Sequence, residues 1–163
     1  MTTTSRIEML RDTIMAAVEL KQLAGGFCEP FVVKKTWFLC EDLEDSYDES
    51  CEPVGTVWIC PRPTAIRNLV RHDGQTCVVE EELTLNMTVA FPRTCSSEDQ
   101  VGTHVRLVEE LTDTIRQIAI ANGYGFQRAE PARDDNGTPY LFISMEKGSF
   151  FTITEFQFLN FIN

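Results

Sequence analysis

The chain has 163 residues, of which 43% are hydrophobic and 24% are charged, and its formal net charge at pH 7 is −11. These proportions exclude a chain that is disordered throughout, and the length fits a single domain over residues 1–163. The negative charge excludes general binding to nucleic-acid phosphates or anionic lipid, because both require a concentrated positive field. No apolar run is long enough to act as a secretion signal or to span a bilayer, so we expect no membrane partner.

The first predicted element is an amphipathic helix near the N-terminus. Ser5 and Glu8 have the spacing of a capping box, which satisfies two backbone N–H groups at a helix start. The pair Gly25-Gly26 is typical of a helix end. Between these signals, apolar side chains recur every three or four positions, at Ile7, Leu10, Ile14 and Val18.

Two predicted strands flank the most acidic part of the sequence. Residues 31–39 and 54–60 are rich in β-branched and aromatic side chains, as strands are. We expect them to pair as a hairpin, with residues 40–52 as its extended tip.

The rest of the pattern predicts five more strands and a second helix. Residues 77–91 alternate between apolar and polar side chains and form the clearest strand. The strand before it is separated from it by the turn signal Asp73-Gly74. The second helix follows residues 96–100 and stops at Asn122-Gly123. The other predicted strands are 65–71, 124–129, 140–146 and 150–162.

The element order is therefore α-β-β-β-β-α-β-β-β. Two helices and several mostly antiparallel strands favour an α+β fold in one domain, with the helices covering one face of a sheet. We expect a mostly antiparallel, possibly mixed, sheet packed against two α-helices.

The acidic stretch 40–52 has three interpretations: a metal loop, a loop closed by a disulfide between Cys40 and Cys51, or a solvated repulsive surface. Its spacing lacks the central glycine of an EF-hand, which argues against calcium. Without a secretory signal, reduced cysteines are expected. We favour a solvated, repulsive surface formed by seven carboxylates, Glu41, Asp42, Glu44, Asp45, Asp48, Glu49 and Glu52.

The sequence shows no catalytic constellation. The two histidines, His72 and His104, lack the context of a nucleophile triad. The glycine pairs follow predicted helices, whereas a phosphate loop precedes one. We therefore expect no enzymatic activity and no resident cofactor or metal.

The C-terminal strand predicts a contact surface, because it is apolar on both pleat faces. One face must pack on the core, and the other must be covered by a helix or by another subunit. The candidate interface residues are Phe150, Phe151, Phe156, Phe158 and Phe161.

Three segments carry a resemblance to a known family. The long strand ends at VAFPRT, the second helix reads THVRLVEELTDTIRQIAIA, and the last strand reads FTITEFQFLNFI. In this order they resemble the tail terminator and tail-completion (neck) proteins of long-tailed bacteriophages. The resemblance implies a virion protein, assembled in the host cytoplasm, that forms a homohexameric ring at the head-proximal end of the tail tube.

The same resemblance implies the partners and the task of that ring. It stops polymerisation of the tail tube, joins the tail to the neck or head-completion proteins, and lets DNA pass without specific binding. Repeated carboxylates facing such a channel would repel DNA phosphates. The alternatives are an acidic inhibitor that mimics DNA and, third, a small metal-dependent enzyme that uses the acidic stretch.

Overall fold

The computed structural model describes residues 5–36, 55–62, 65–72, 76–92, 98–134, 136–139, 141, 143–146 and 149–162. Within these ranges, two helices and seven strands follow the predicted order. The helices are α1 (Arg6–Leu23) and α2 (Glu98–Ala121). The strands are β1 (Phe31–Lys35), β2 (Gly55–Pro61), β3 (Ala65–His72), β4 (Thr76–Pro92), β5 (Gly125–Pro131), β6 (Ser144–Glu146) and β7 (Ser149–Ile162).

All seven strands belong to one mixed, mostly antiparallel sheet with the order β1-β2-β4-β7-β5. The long central pair β4 and β7 runs antiparallel from Val79 opposite Ile162 to Pro92 opposite Ser149. β3 pairs with the first part of β4, and β6 pairs with the first part of β7. The α+β fold predicted from the sequence is confirmed.

The predicted pairing of the first two strands is confirmed, but the predicted hairpin is wrong. β1 and β2 run parallel, with Phe31 opposite Gly55 and Lys35 opposite Ile59. A parallel pair requires a crossover connection, because a hairpin reverses the chain direction. The acidic stretch 40–52, which we expected at the hairpin tip, lies outside the described residues.

One predicted strand is shorter than expected. Residues 140–146 were expected to be extended, whereas β6 covers Ser144–Glu146; Leu141 and Ile143 lie outside it, and residues 140 and 142 lie outside the described residues. β5 already bonds the same edge of β7 as far as Thr154, and the N–H of Ala132 donates to the carbonyl of Ile153. On that edge the residues of β7 before Ile153 are left, and β6 pairs with residues 149–151.

The capping box predicted at the first helix is present. The Ser5 hydroxyl accepts the N–H of Glu8, and the Glu8 carboxylate accepts the N–H of Ser5. These contacts satisfy two of the four N–H groups that a helix start leaves without intrahelical partners. Hydrogen bonds from the Ser5 hydroxyl and backbone hold the pKa of Glu8 below its usual value.

Both helices pack against one face of the sheet. Their apolar stripes meet the side chains that alternate inward on the strands, and burial of these groups stabilises the fold. On the other face a smaller buried cluster forms around Trp58, Ala90, Ala132, Phe151 and Ile153. The main core includes Leu10, Ile14, Val57, Ile59, Leu83, Leu85, Met87, Leu107, Leu111, Ile115, Phe156 and Phe158.

Candidate functional site

The phenylalanines predicted to form a subunit interface lie mostly inside the chain. Phe150, Phe156 and Phe158 are buried on the face that the helices cover, and Phe151 is buried on the opposite face. The side chain of Phe161 lies outside what the structure describes. Because the four described rings are enclosed by their own chain, they stabilise the core and form no exposed apolar patch.

The seven carboxylates of the acidic stretch 40–52 all lie outside the described residues, so their predicted role stays a prediction. Elsewhere in the described part of the chain, no group of three or more His, Cys, Asp and Glu side chains could hold a metal ion.

His104 is a core residue. It has no exposed surface, and its Nε2 lies 2.8 Å from the hydroxyl of Thr152. The rings of Phe91 and Phe150 meet the imidazole edge-on, at centroid distances of 6.1 and 5.7 Å. A ring enclosed in this way has no access to a substrate at the protein surface. The other histidine, His72, is the last residue of β3.

Cys28 carries an exposed thiol, and its surroundings suppress its reactivity. Its backbone N–H donates to the carboxylate of Glu110 at 3.0 Å, and its Sγ lies 3.8 Å from the carbonyl oxygen of Thr103. Desolvation and the neighbouring Glu110 carboxylate raise the pKa of Cys28 to about 11. Since the thiolate is the nucleophile, this cysteine is poorly reactive at neutral pH.

A groove of about 480 Å³ lies between α2 and β5. α2 lines it with Val108, Glu109, Thr112 and Asp113, and the sheet lines it with residues 129–131 and Thr154. The lining residues thus include three acids and no lysine or arginine.

Two of the three acids that line the groove have arginine partners. Asp113 lies 3.0 Å from Arg116 on the same helix, and Glu130 lies 3.1 Å from Arg128 and 3.8 Å from Arg133. Glu109 is exposed and has no ion-pair partner among the described residues. The groove therefore combines apolar surface with one uncompensated carboxylate.

A hydrogen-bonded chain of side chains braces the strand beside the groove. Nε of Arg128 donates to the side-chain oxygen of Gln157 at 2.8 Å, and the Gln157 amide donates to Glu155 at 3.2 Å. These contacts join β5 to β7 across the sheet, so the groove wall is held by more than its backbone ladder.

The opposite edge of the sheet is basic. β1 is the last strand on that side, and no strand of the described ranges pairs with its outer edge. Phe31 and Val33 pack on the core, whereas Val32, Lys34 and Lys35 are exposed. Neither lysine has an ion-pair partner in the part of the chain that the structure describes.

Neither of these two surfaces was among the predicted site residues. The basic edge had a signal in the sequence, since FVVKK carries two lysines and no acid in a strongly acidic chain. The groove had no signal in the sequence, because residues 108–113 of a helix and residues 129–131 of a strand come together only in the folded chain. The candidate functional site is therefore a pair of surfaces at opposite edges of one sheet, the basic edge at β1 and the groove beside β5.

Compared with known proteins, the chain matches no family model and no curated protein sequence. Among the described helices, none combines the length and the apolar character that crossing a membrane requires.

Proposed function

We propose that the chain is a virion structural protein, a tail terminator or neck subunit that forms a ring at the head-proximal end of a bacteriophage tail tube. The observation that carries the proposal is the pair of different surfaces at the two ends of the sheet, the basic β1 edge and the groove between α2 and β5. The element order around α2, which agrees with the resemblance in the sequence, supports it.

The two surfaces suit a ring because a ring is built from heterologous contacts. In such a contact one patch meets a different patch on the neighbour, and the rotation between neighbours either closes into a ring or continues as a filament. Six subunits is the number that the resemblance implies. A subunit whose sheet ends in two dissimilar edges meets the requirement for such contacts.

The charge of the chain suits a ring through which DNA passes. Repeated around a channel, the seven carboxylates of residues 40–52 would form a wall that repels phosphates. The DNA would then pass without being bound and without its sequence being recognised. The chemistry of the described residues agrees with a structural role, since His104 is enclosed and the Cys28 thiol is protonated at neutral pH.

Deletion of the gene from the phage that encodes it tests the proposal. We expect lysates to contain heads without tails and tail tubes of uncontrolled length, and the gene supplied in trans should restore joined particles. Electron microscopy of the lysates measures both tube length and attachment. Tails of normal length on full heads, in the absence of the protein, would contradict the proposal.

A further inference from the structure

We propose that the basic β1 edge of one copy docks into the α2–β5 groove of the next copy, with Lys34 and Lys35 facing Glu109 and Asp113. The inference rests on the proposed function in one respect, that the chain self-associates. It goes further by naming the two surfaces that meet and the charges that select them.

The basic edge has the properties of a docking element. Its outer backbone groups have no partner strand among the described residues, and an unpaired edge accepts another chain readily. Val32 offers exposed apolar surface on the same pleat face as Lys34, and Lys35 is exposed on the other face. With a net charge of −11 on each chain, two copies repel each other overall. A basic edge without acids is a surface where they can approach.

The groove has the complementary properties. Its volume of about 480 Å³ is enough for several side chains. Val108, Ala129 and Pro131 supply apolar lining that suits Val32. Glu109 and Asp113 lie exposed on α2, and Asp113 also pairs with Arg116. Charges at the rim of such a contact fix register and partner choice more than they add affinity.

The complementary charges and the positions of the two surfaces favour a second copy as the occupant. β1 and β5 are the first and last strands in the sheet order β1-β2-β4-β7-β5. A copy docked through its basic edge therefore still presents its own groove to a third copy. The contact repeats in one direction, as a ring requires.

Charge reversal tests the contact. One variant carries Lys34→Glu with Lys35→Glu, a second carries Glu109→Lys with Asp113→Lys, and a third carries all four changes. Sedimentation velocity at low ionic strength measures association of each full-length protein, because salt screens such charges. Circular dichroism checks folding, and Lys34→Gln with Lys35→Gln replaces the first variant if that one does not fold.

We expect each two-residue variant to associate at least about tenfold more weakly than the unaltered protein, a loss of about 1.4 kcal/mol. The four-residue variant should recover association, and so should an equimolar mixture of the two-residue variants, because reversed charges face reversed charges again. The control is Glu19→Lys, which changes an exposed charge on α1 that belongs to neither surface and should leave association unchanged.

Three results would overturn the inference. If the unaltered protein forms rings that survive both reversals, this contact is wrong while the proposed function stands. If neutralising the seven carboxylates of residues 40–52 abolishes association and the groove reversal does not, the occupant of the basic edge is the acidic stretch. If the unaltered protein never associates, the contact and the proposed ring both fail.

Discussion

Replacing Gly55 by alanine should destabilise the protein through one clash in the core. A Cβ at Gly55 would lie 2.6 Å from Cδ1 of Phe91 and closer still to two other carbons of that ring. Carbon atoms pack best at about 3.5–4.0 Å, so the ring must move by roughly an ångström. It is buried, and on another side it meets the imidazole of His104.

The magnitude follows from two opposing effects. Overpacking a core costs about 1–3 kcal/mol. Because the Phe91 ring is enclosed, we expect a cost at the upper end of this range, about 3 kcal/mol. Replacing glycine also lowers the conformational entropy of the unfolded chain, which stabilises the folded state by somewhat less than about 1 kcal/mol. We therefore expect Gly55→Ala to lower the free energy of unfolding by about 2 kcal/mol. With a slope near 2 kcal/mol/M, the urea midpoint falls by about 1 M.

The assay is urea unfolding followed by far-UV circular dichroism at one fixed protein concentration, because self-association adds apparent stability. Gly102→Ala is the matched control: a Cβ there meets nothing within 4 Å, and alanine should stabilise α2 by up to about 1 kcal/mol. Phe91→Leu should cost less in the Gly55→Ala background than alone. A Gly55→Ala protein within about 0.5 kcal/mol of the unaltered one would refute the reasoning.

The contacts of His104 and Cys28 can each be tested by substitution. Thr152→Val removes the hydroxyl 2.8 Å from Nε2 of His104 and should lower the free energy of unfolding in urea by about 1–3 kcal/mol. The control is Thr112→Val, at a half-buried position in a helix, which should change that free energy by no more than about 0.5 kcal/mol. Equal losses in the two variants would refute a special role for the His104 contact. Because its pKa is raised to about 11, Cys28 should react slowly with iodoacetamide at pH 8 and about tenfold faster for each unit of pH up to 10. Glu110→Gln removes a negative charge that raises this pKa, so peptide mapping should show faster alkylation at pH 8, and an unchanged rate would contradict the assigned cause.

The sequence predicted most where local patterns determine the structure. The capping box at Ser5 and the alternation over residues 77–91 gave α1 and β4 to within a few residues. Strand direction is different, because alternation looks the same in parallel and antiparallel pairs. The parallel pairing of β1 and β2 therefore could not be read from their side chains.

The contact surfaces were harder to predict for a similar reason. Apolar side chains on both faces of the last strand showed that both faces are covered, but not whether the cover belongs to the same chain. Phe151 and Ile153 pack with Trp58 and Ala90 of the same chain. The groove between α2 and β5 depends on how a helix lies over a strand. The spacing of apolar residues along the sequence does not determine that packing.

The most direct test of the central claim is the mass of the assembled particle, measured by native mass spectrometry at micromolar concentration. A ring-forming terminator predicts a discrete closed assembly, about six times the 18.5 kDa mass of one chain. A protein that stays at 18.5 kDa at every concentration tested would contradict the claim.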